Sequence, residues 1–203
     1  MKELKLNVPD EKVQELGKDF VSLLKKHGIE AENKAFMKAI LPVNERIKTF
    51  EDACKELGFG HILVAEYNLF VGDAVNTLSP DIVAYMKLRI IAAALNEGWE
   101  PQFTTDEYRW YPWFTLWTEE ELKGKSEQWK KDHALWLFGG SSAAGASCGL
   151  ASALSATAWS RSDSDISARL AVKSEELAVY FGKQFISIWA DYVGPFNRKD
   201  SEK

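Results

Sequence analysis

The chain has 203 residues, 46% hydrophobic, 27% charged and 12% aromatic, with a formal net charge of −5. This is too apolar for a disordered chain and long enough to bury a real core, as one domain or one domain with a helical appendage. The mildly acidic balance excludes the broad basic footprint of a nucleic-acid binder. No run approaches the ~20 apolar residues of a membrane span, and the start Met1-Lys2-Glu3-Leu4-Lys5 lacks the apolar core of a signal peptide.

The first forty or so residues read as helical. Pro9-Asp10 suits a first turn, where proline costs no hydrogen bond and an acid meets the positive end of the dipole. Val13, Leu16, Phe20, Leu23 and Leu24 then recur at helical spacing until His27-Gly28. A second short helix is expected over Asn33 to Ile40, before Pro42. Residues 1–48 are thus a highly charged helical extension or oligomerisation arm, and 49–203 the main domain.

At Thr49-Phe50-Glu51-Asp52 a capping threonine is followed three positions on by an acid, a variant of the capping box. Ala53, Leu57 and Cys54 mark that helix's buried stripe, and Gly58 closes it. The clearest helix runs from Ser79-Pro80-Asp81 to Asn96-Glu97-Gly98. Its interior, Ile82, Tyr85, Met86, Leu88, Ile90, Ile91 and Leu95, is apolar on nearly every side and predicts deep packing.

Beyond Gly98 the period changes. Tyr108 to Trp117 reads as strand, with Pro112 marking an edge or a bulge. Ala134 to Phe138 is a short apolar run consistent with a buried strand. Ile166 to Lys173 alternates as a half-buried strand does. A last helix from Ser174-Glu175-Glu176 carries Leu177, Tyr180, Phe181, Phe185, Ile188 and Trp189, with a polar tail from Gly194. Helices first and short strands later predict an α+β fold.

Between those strands lies GGSSAAGASCGLASALSATAWSRSDSDISA, residues 139–168, with no Lys, Glu, Gln or Met. A flexible linker fits poorly with Leu150, Leu154, Trp159 and Ile166 inside it, and a helix fits poorly with so much serine and glycine. The reading left is a long, ordered connection laid on the surface, anchored by glycines and large apolar residues while small residues face outward.

The frame Phe138-Gly139-Gly140, Gly145, Cys148-Gly149-Leu150-Ala151, Ala158-Trp159-Ser160 and Ile166-Ser167-Ala168-Arg169-Leu170-Ala171 resembles the variable region of proteins diversified by diversity-generating retroelements. Ser167 stands where family members read glycine. The resemblance covers roughly residues 49 to 193, with a variable region about 139–170. It implies a C-type-lectin-like domain of the formylglycine-generating-enzyme type, as in phages and prophages of gut Bacteroidetes. It also implies randomised asparagine codons, which never yield Lys, Glu, Gln, Met or Trp; Lys, Glu, Gln and Met are absent from 139–168, and Trp159 would belong to the fixed frame. The positions between frame residues, Ser141, Ala143, Ala144, Ser147, Leu154, Ala156, Thr157, Arg161, Asp163 and Asp165, become the candidate variable surface. Gly139, Gly140, Gly145, Gly149, Trp159 and Arg169 become its scaffold.

Enzymatic chemistry has little to build on. His27, His61 and His133 lie in no catalytic or metal-binding spacing, Cys148 has no paired cysteine or local base, and Asp163 with Asp165 is a poor calcium set. Cys54 and Cys148 read as free thiols, with a single bridge the alternative. No cofactor or metal is expected. Of Trp110, Trp113 and Trp117, at least two should pack in the core, and the remainder would frame a binding site. The expected function is non-enzymatic recognition of a protein or glycan ligand on a bacterial surface, by a phage virion protein (or one in the host cytoplasm during assembly), with homo-oligomers raising avidity. No nucleic acid and no membrane insertion are expected. The alternative is an intracellular phage protein binding a small molecule or nucleotide signal in anti-defence.

Overall fold

The computed structural model describes residues 9–28, 38, 40–72, 78–102, 107–138, 148–158 and 168–194. The chain divides into two compact units, 1–48 and 49–203.

In the first unit, α1 spans Asp10–Lys26 and α2 spans Val43–Arg46. α1 starts and stops where its local signals place it. Lys12 N–H donates to Pro9 O at 2.8 Å, and Gly28 adopts φ +68° just beyond the last turn. Arg46 Nε donates to Leu41 O at 3.2 Å, and Glu45 meets Lys48 at 3.2 Å and Lys18 at 3.5 Å. The Lys48 hydrogen bond leads the causes that hold the Glu45 carboxyl below its ordinary range. Of the expected helix over 33–40 only Lys38 and Ile40 lie among the described residues, both helical.

The second unit mixes helix and sheet. α3 (Phe50–Leu57) opens on the expected capping box: Asp52 N–H donates to Thr49 Oγ1 at 3.1 Å, and Thr49 N–H to Asp52 Oδ2 at 3.0 Å. α4 (Ile62–Tyr67) runs into a wide π turn at Asn68–Gly72. α5 (Pro80–Asn96) is the central helix; Leu88, Ile90, Ile91 and Leu95 are buried, and α3 and the C-terminal helix both pack on it. Ile82, near its start, stays exposed.

Three antiparallel strands follow, in the order β1-β3-β2: β1 Arg109–Thr118, β2 Trp136–Phe138 and β3 Cys148–Ala158. Pro112 sits on the edge strand, as expected, where its missing N–H breaks no ladder bond. The register slips at Trp113/Phe114, which pair with Leu154 and Ser152, so Ala153 has no opposite number and forms a bulge. Two short helices, α6 (Glu119–Lys123) and α7 (Glu127–Asp132), join β1 to β2. Thr118 closes a second capping box, its N–H donating to Glu121 Oε2 at 2.8 Å.

Two expectations are corrected here. Residues 168–173 form no strand: Ala168–Leu170 is one 3₁₀ turn, and only Val172 bridges β1. The last helix is two, α8 (Glu175–Gln184) and α9 (Ile186–Val193), broken at Phe185 with φ −111° and ψ 28°. The break lets each half serve a different surface. α8 covers β1 and β3, while α9 packs on α5 and β2. Ala190 and Ile186 thereby reach Phe138, Leu150 and Phe114 on one sheet face. The other face meets α6: a Cβ on Gly149 would lie 2.8 Å from Leu122 Cδ1 and 2.9 Å from Leu135 Cδ1, so a larger residue there would push those side chains aside.

Candidate binding surface

The small-residue run is not one connection laid on the surface. Its middle, Cys148–Ala158, is the central strand of the sheet, paired along its length with β1 and over Cys148–Leu150 with β2, and Leu150 and Ala151 are buried. Glycine, serine and alanine have little strand preference of their own. Here pairing with the aromatic β1 and with β2 overrides it.

Both flanks of the run leave from fixed backbone. Residues 139–147 are bracketed by the pair Phe138↔Cys148. Residues 159–167 are bracketed by Arg109↔Ala158 on one side and by Val172 on the other. Val172 N–H donates to Trp110 O at 2.9 Å, and Trp110 N–H donates to Val172 O at 3.1 Å. The first two residues of β1 therefore hold both feet of that segment.

Asn96 reinforces the second foot. At the C-terminal end of α5, 5% exposed, it donates from Nδ2 to Ala171 O at 2.8 Å and accepts at Oδ1 from Lys173 N–H at 3.1 Å. A side-chain amide here does what a neighbouring strand would do for the same backbone. Lys173 Nζ then meets Glu97 Oε2 at 2.9 Å, Glu97 being the left-handed residue that ends α5. Asn96 reads in sequence as a helix terminator; its second use has no local signal, because its partners lie 75 and 77 residues away. Arg109, fully buried at the start of β1, is a second residue that sequence reasoning passes over.

Side chains alternate along β1, so Arg109, Tyr111, Trp113, Thr115 and Trp117 share one face. At one end Tyr111 is covered by Ala171 and Trp99. At the other, Trp117 packs edge-on to Trp129 with centroids 5.4 Å apart, and Lys125 Nζ lies 4.3 Å and 4.8 Å from the two ring centres. Between these covered ends Trp113 is 51% exposed. Trp110 and Trp117 are half-buried, so Trp113 is the member of the triad left open beside the bulge.

Of the candidate variable positions, Leu154 stands opposite Trp113, Ala156 opposite Tyr111 and Thr157 opposite Trp110. Ser141, Ala143, Ala144, Ser147, Arg161, Asp163 and Asp165 lie outside the described residues, as do the scaffold positions Gly139, Gly140, Gly145 and Trp159. Gly149 is at the packed crossing under α6, and Arg169 is exposed on the 3₁₀ turn.

No family model, curated protein or solved structure matches the chain.

His61, His133 and Glu121 have structural partners. His61 caps α4, its Nδ1 accepting from Leu63 N–H at 3.3 Å, and His133 stacks on Trp129 with centroids 4.3 Å apart. The Thr118 backbone N–H and hydroxyl hold the Glu121 carboxyl below its usual range. Among the described residues no group of three His, Cys, Asp or Glu side chains is placed to hold a metal ion, and no helix is long and apolar enough to cross a membrane. Cys54 is a free thiol, which removes the bridge alternative. Burial, then the Glu51 charge, pushes that thiol's pKa up. Iodoacetamide at mildly alkaline pH should therefore alkylate Cys54 several-fold more slowly in the folded chain than after denaturation, read by peptide mapping; equal rates would contradict this environment.

Proposed function

We propose that this chain is a hypervariable, non-enzymatic ligand-binding protein of a phage or prophage, a variable protein of a diversity-generating retroelement whose residues 49–203 form a C-type-lectin-like domain. Its ligand is a protein or glycan on a bacterial surface, and it acts from the virion. The observation that carries this reading is the bracketing of the small-residue run. Each stretch outside β3 begins and ends on hydrogen-bonded backbone, at Phe138↔Cys148, Ala158↔Arg109 and Val172↔Trp110. Backbone pairing does not depend on side-chain identity, so residues between the anchors can be exchanged while the anchors stay.

The exposed Trp113 beside the bulge supports a ligand position at the middle of the strand pair. The paired strand is eleven residues long, so its two ends are separated by roughly 30 Å. The middle, with exposed Trp113 opposite Leu154, supplies a large rigid aromatic beside exchangeable positions, the combination that paratopes use. Serine and alanine around it give this copy modest affinity.

Sequencing many copies of the gene from one population tests the proposal. The expected result is substitution confined to Ser141, Ala143, Ala144, Ser147, Leu154, Ala156, Thr157, Arg161, Asp163 and Asp165, with a near-identical template repeat nearby. Substitution spread evenly along the chain removes it.

A further inference from the structure

We propose that Trp117 and Trp129 form a cage for a trimethylammonium group, a site that the chain fills with its own Lys125. The two indoles stand edge-on at 84°, with centroids 5.4 Å apart, and so make two walls at nearly a right angle. The Lys125 ammonium sits in the corner, 4.3 Å from the Trp117 ring centre and 4.8 Å from that of Trp129. At both distances a ring attracts a cation. The walls are set in advance. Trp117 is held in β1 opposite Gly149, which has no side chain to crowd it. Trp129 N–H donates to Ser126 Oγ at 3.1 Å at the start of α7, and His133 stacks on the ring, 19° from parallel. A site built on a strand and a helix loses little in ordering itself around a ligand.

Only the rings hold Lys125. Glu121, whose charge it meets, has turned its carboxyl to the Thr118 N–H and hydroxyl, at 2.8 Å and 2.9 Å. Among the described residues nothing accepts a hydrogen bond or an ion pair from the Lys125 ammonium. A primary ammonium carries three N–H donors, which ring faces satisfy poorly. A trimethylammonium group has none to satisfy, and its methyl groups bury apolar area against the indoles as well as presenting the charge. Ordering the long lysine side chain also costs conformational entropy. Lys125 is half-buried between exposed Gly124 and Ser126, so it is a displaceable occupant. The Glu121 charge beside the corner favours a plain cation such as choline over a zwitterion such as glycine betaine. The inference rests on this corner alone and stands apart from the ligand position at Trp113.

The test is isothermal titration of the full chain with tetramethylammonium chloride at constant ionic strength. The expected dissociation constant is on the order of 10 mM, and Lys125→Ala tightens it about tenfold by removing the competitor. Adding Trp129→Leu to Lys125→Ala abolishes binding with circular dichroism unchanged. Ammonium chloride and 3,3-dimethylbutanol, the neutral isostere of choline, bind the Lys125→Ala protein at least about tenfold more weakly than tetramethylammonium or choline, a comparison that needs no ring variant. Free choline set beside phosphatidylcholine vesicles separates a soluble ligand from a lipid headgroup, and binding of either supports the cage. The proposal is overturned by no heat from tetramethylammonium in Lys125→Ala up to about 100 mM, or by a Lys125→Ala protein that binds no tighter than its parent. Equal binding of the neutral isostere, or binding that survives Trp129→Leu, overturns it too.

Discussion

Replacing Asn96 with alanine destabilises residues 49–203 by about 3 kcal/mol and lowers their melting temperature by roughly 6 to 12 °C. The magnitude follows from what the side chain leaves behind. Ala171 O loses its partner in a buried position and Lys173 N–H in a partly buried one, and an unmet buried group costs about 1–3 kcal/mol. Thermal unfolding of Asn96→Ala beside the parent measures it. A loss below about 1 kcal/mol would mean that water reaches both groups.

Asn96→Asp separates the donor from the acceptor. The introduced carboxyl accepts from Lys173 N–H in either protonation state, but it donates to Ala171 O only when protonated. Its folded pKa therefore lies above the unfolded value of about 3.9. A group whose folded pKa is raised contributes fully below the unfolded pKa and loses that contribution as pH rises through the folded one. The Asn96→Asp protein should match its parent most closely in acid and fall away towards neutral pH, relative to the parent measured at the same pH. A difference that does not vary with pH contradicts this account.

The second large effect is at Trp189. This residue, 5% exposed, sits among Phe181 at 5.0 Å, Phe114 at 5.2 Å and Tyr192 at 6.1 Å between ring centres, and its Nε1 donates to Phe181 O at 3.2 Å. It joins α8, α9 and the sheet. Trp189→Ala empties that junction and should cost about 4 kcal/mol, the range for a large aromatic removed from a core. Trp189→Phe keeps most of the packing and loses the donor, at about 1 to 2 kcal/mol. Urea denaturation of both variants checks the order; equal losses would place the stability in the hydrogen bond rather than in the rings.

How much of this was legible in the sequence depended on whether the cause was local. Thr49 with Asp52 and Ser174 before its acids cap the helices they open, because a cap is decided within four residues; Pro80 starts its helix too, although the expected capping serine, Ser79, makes no side-chain capping bond. β1 was legible for the same reason, its aromatic density favouring strand at nearly every position. β3 was not, since its conformation is imposed by two neighbours across the sheet. The break at Phe185 carries no glycine or proline; it arises because the helix changes partner surface there. The sequence expected the tryptophan triad to be mostly core, and Trp110 and Trp117 are half-buried. Which one remained open depended on α6 and α7, helices that composition alone did not reveal. Of the candidate site, the strand positions could be located, whereas the clamp at Asn96 joins segments too distant for any pattern to suggest.

The unmatched residue at Ala153 bears on how this gene tolerates length change. On either side of it the ladder is already in step, Ser152 with Phe114 and Leu154 with Trp113. Losing that single codon would straighten the strand while keeping every remaining partnership. Losing a codon at Leu150 or Ala156 would slip half the pairings by one place. Descendants of this chain that differ in length within the sheet should therefore differ at that spot.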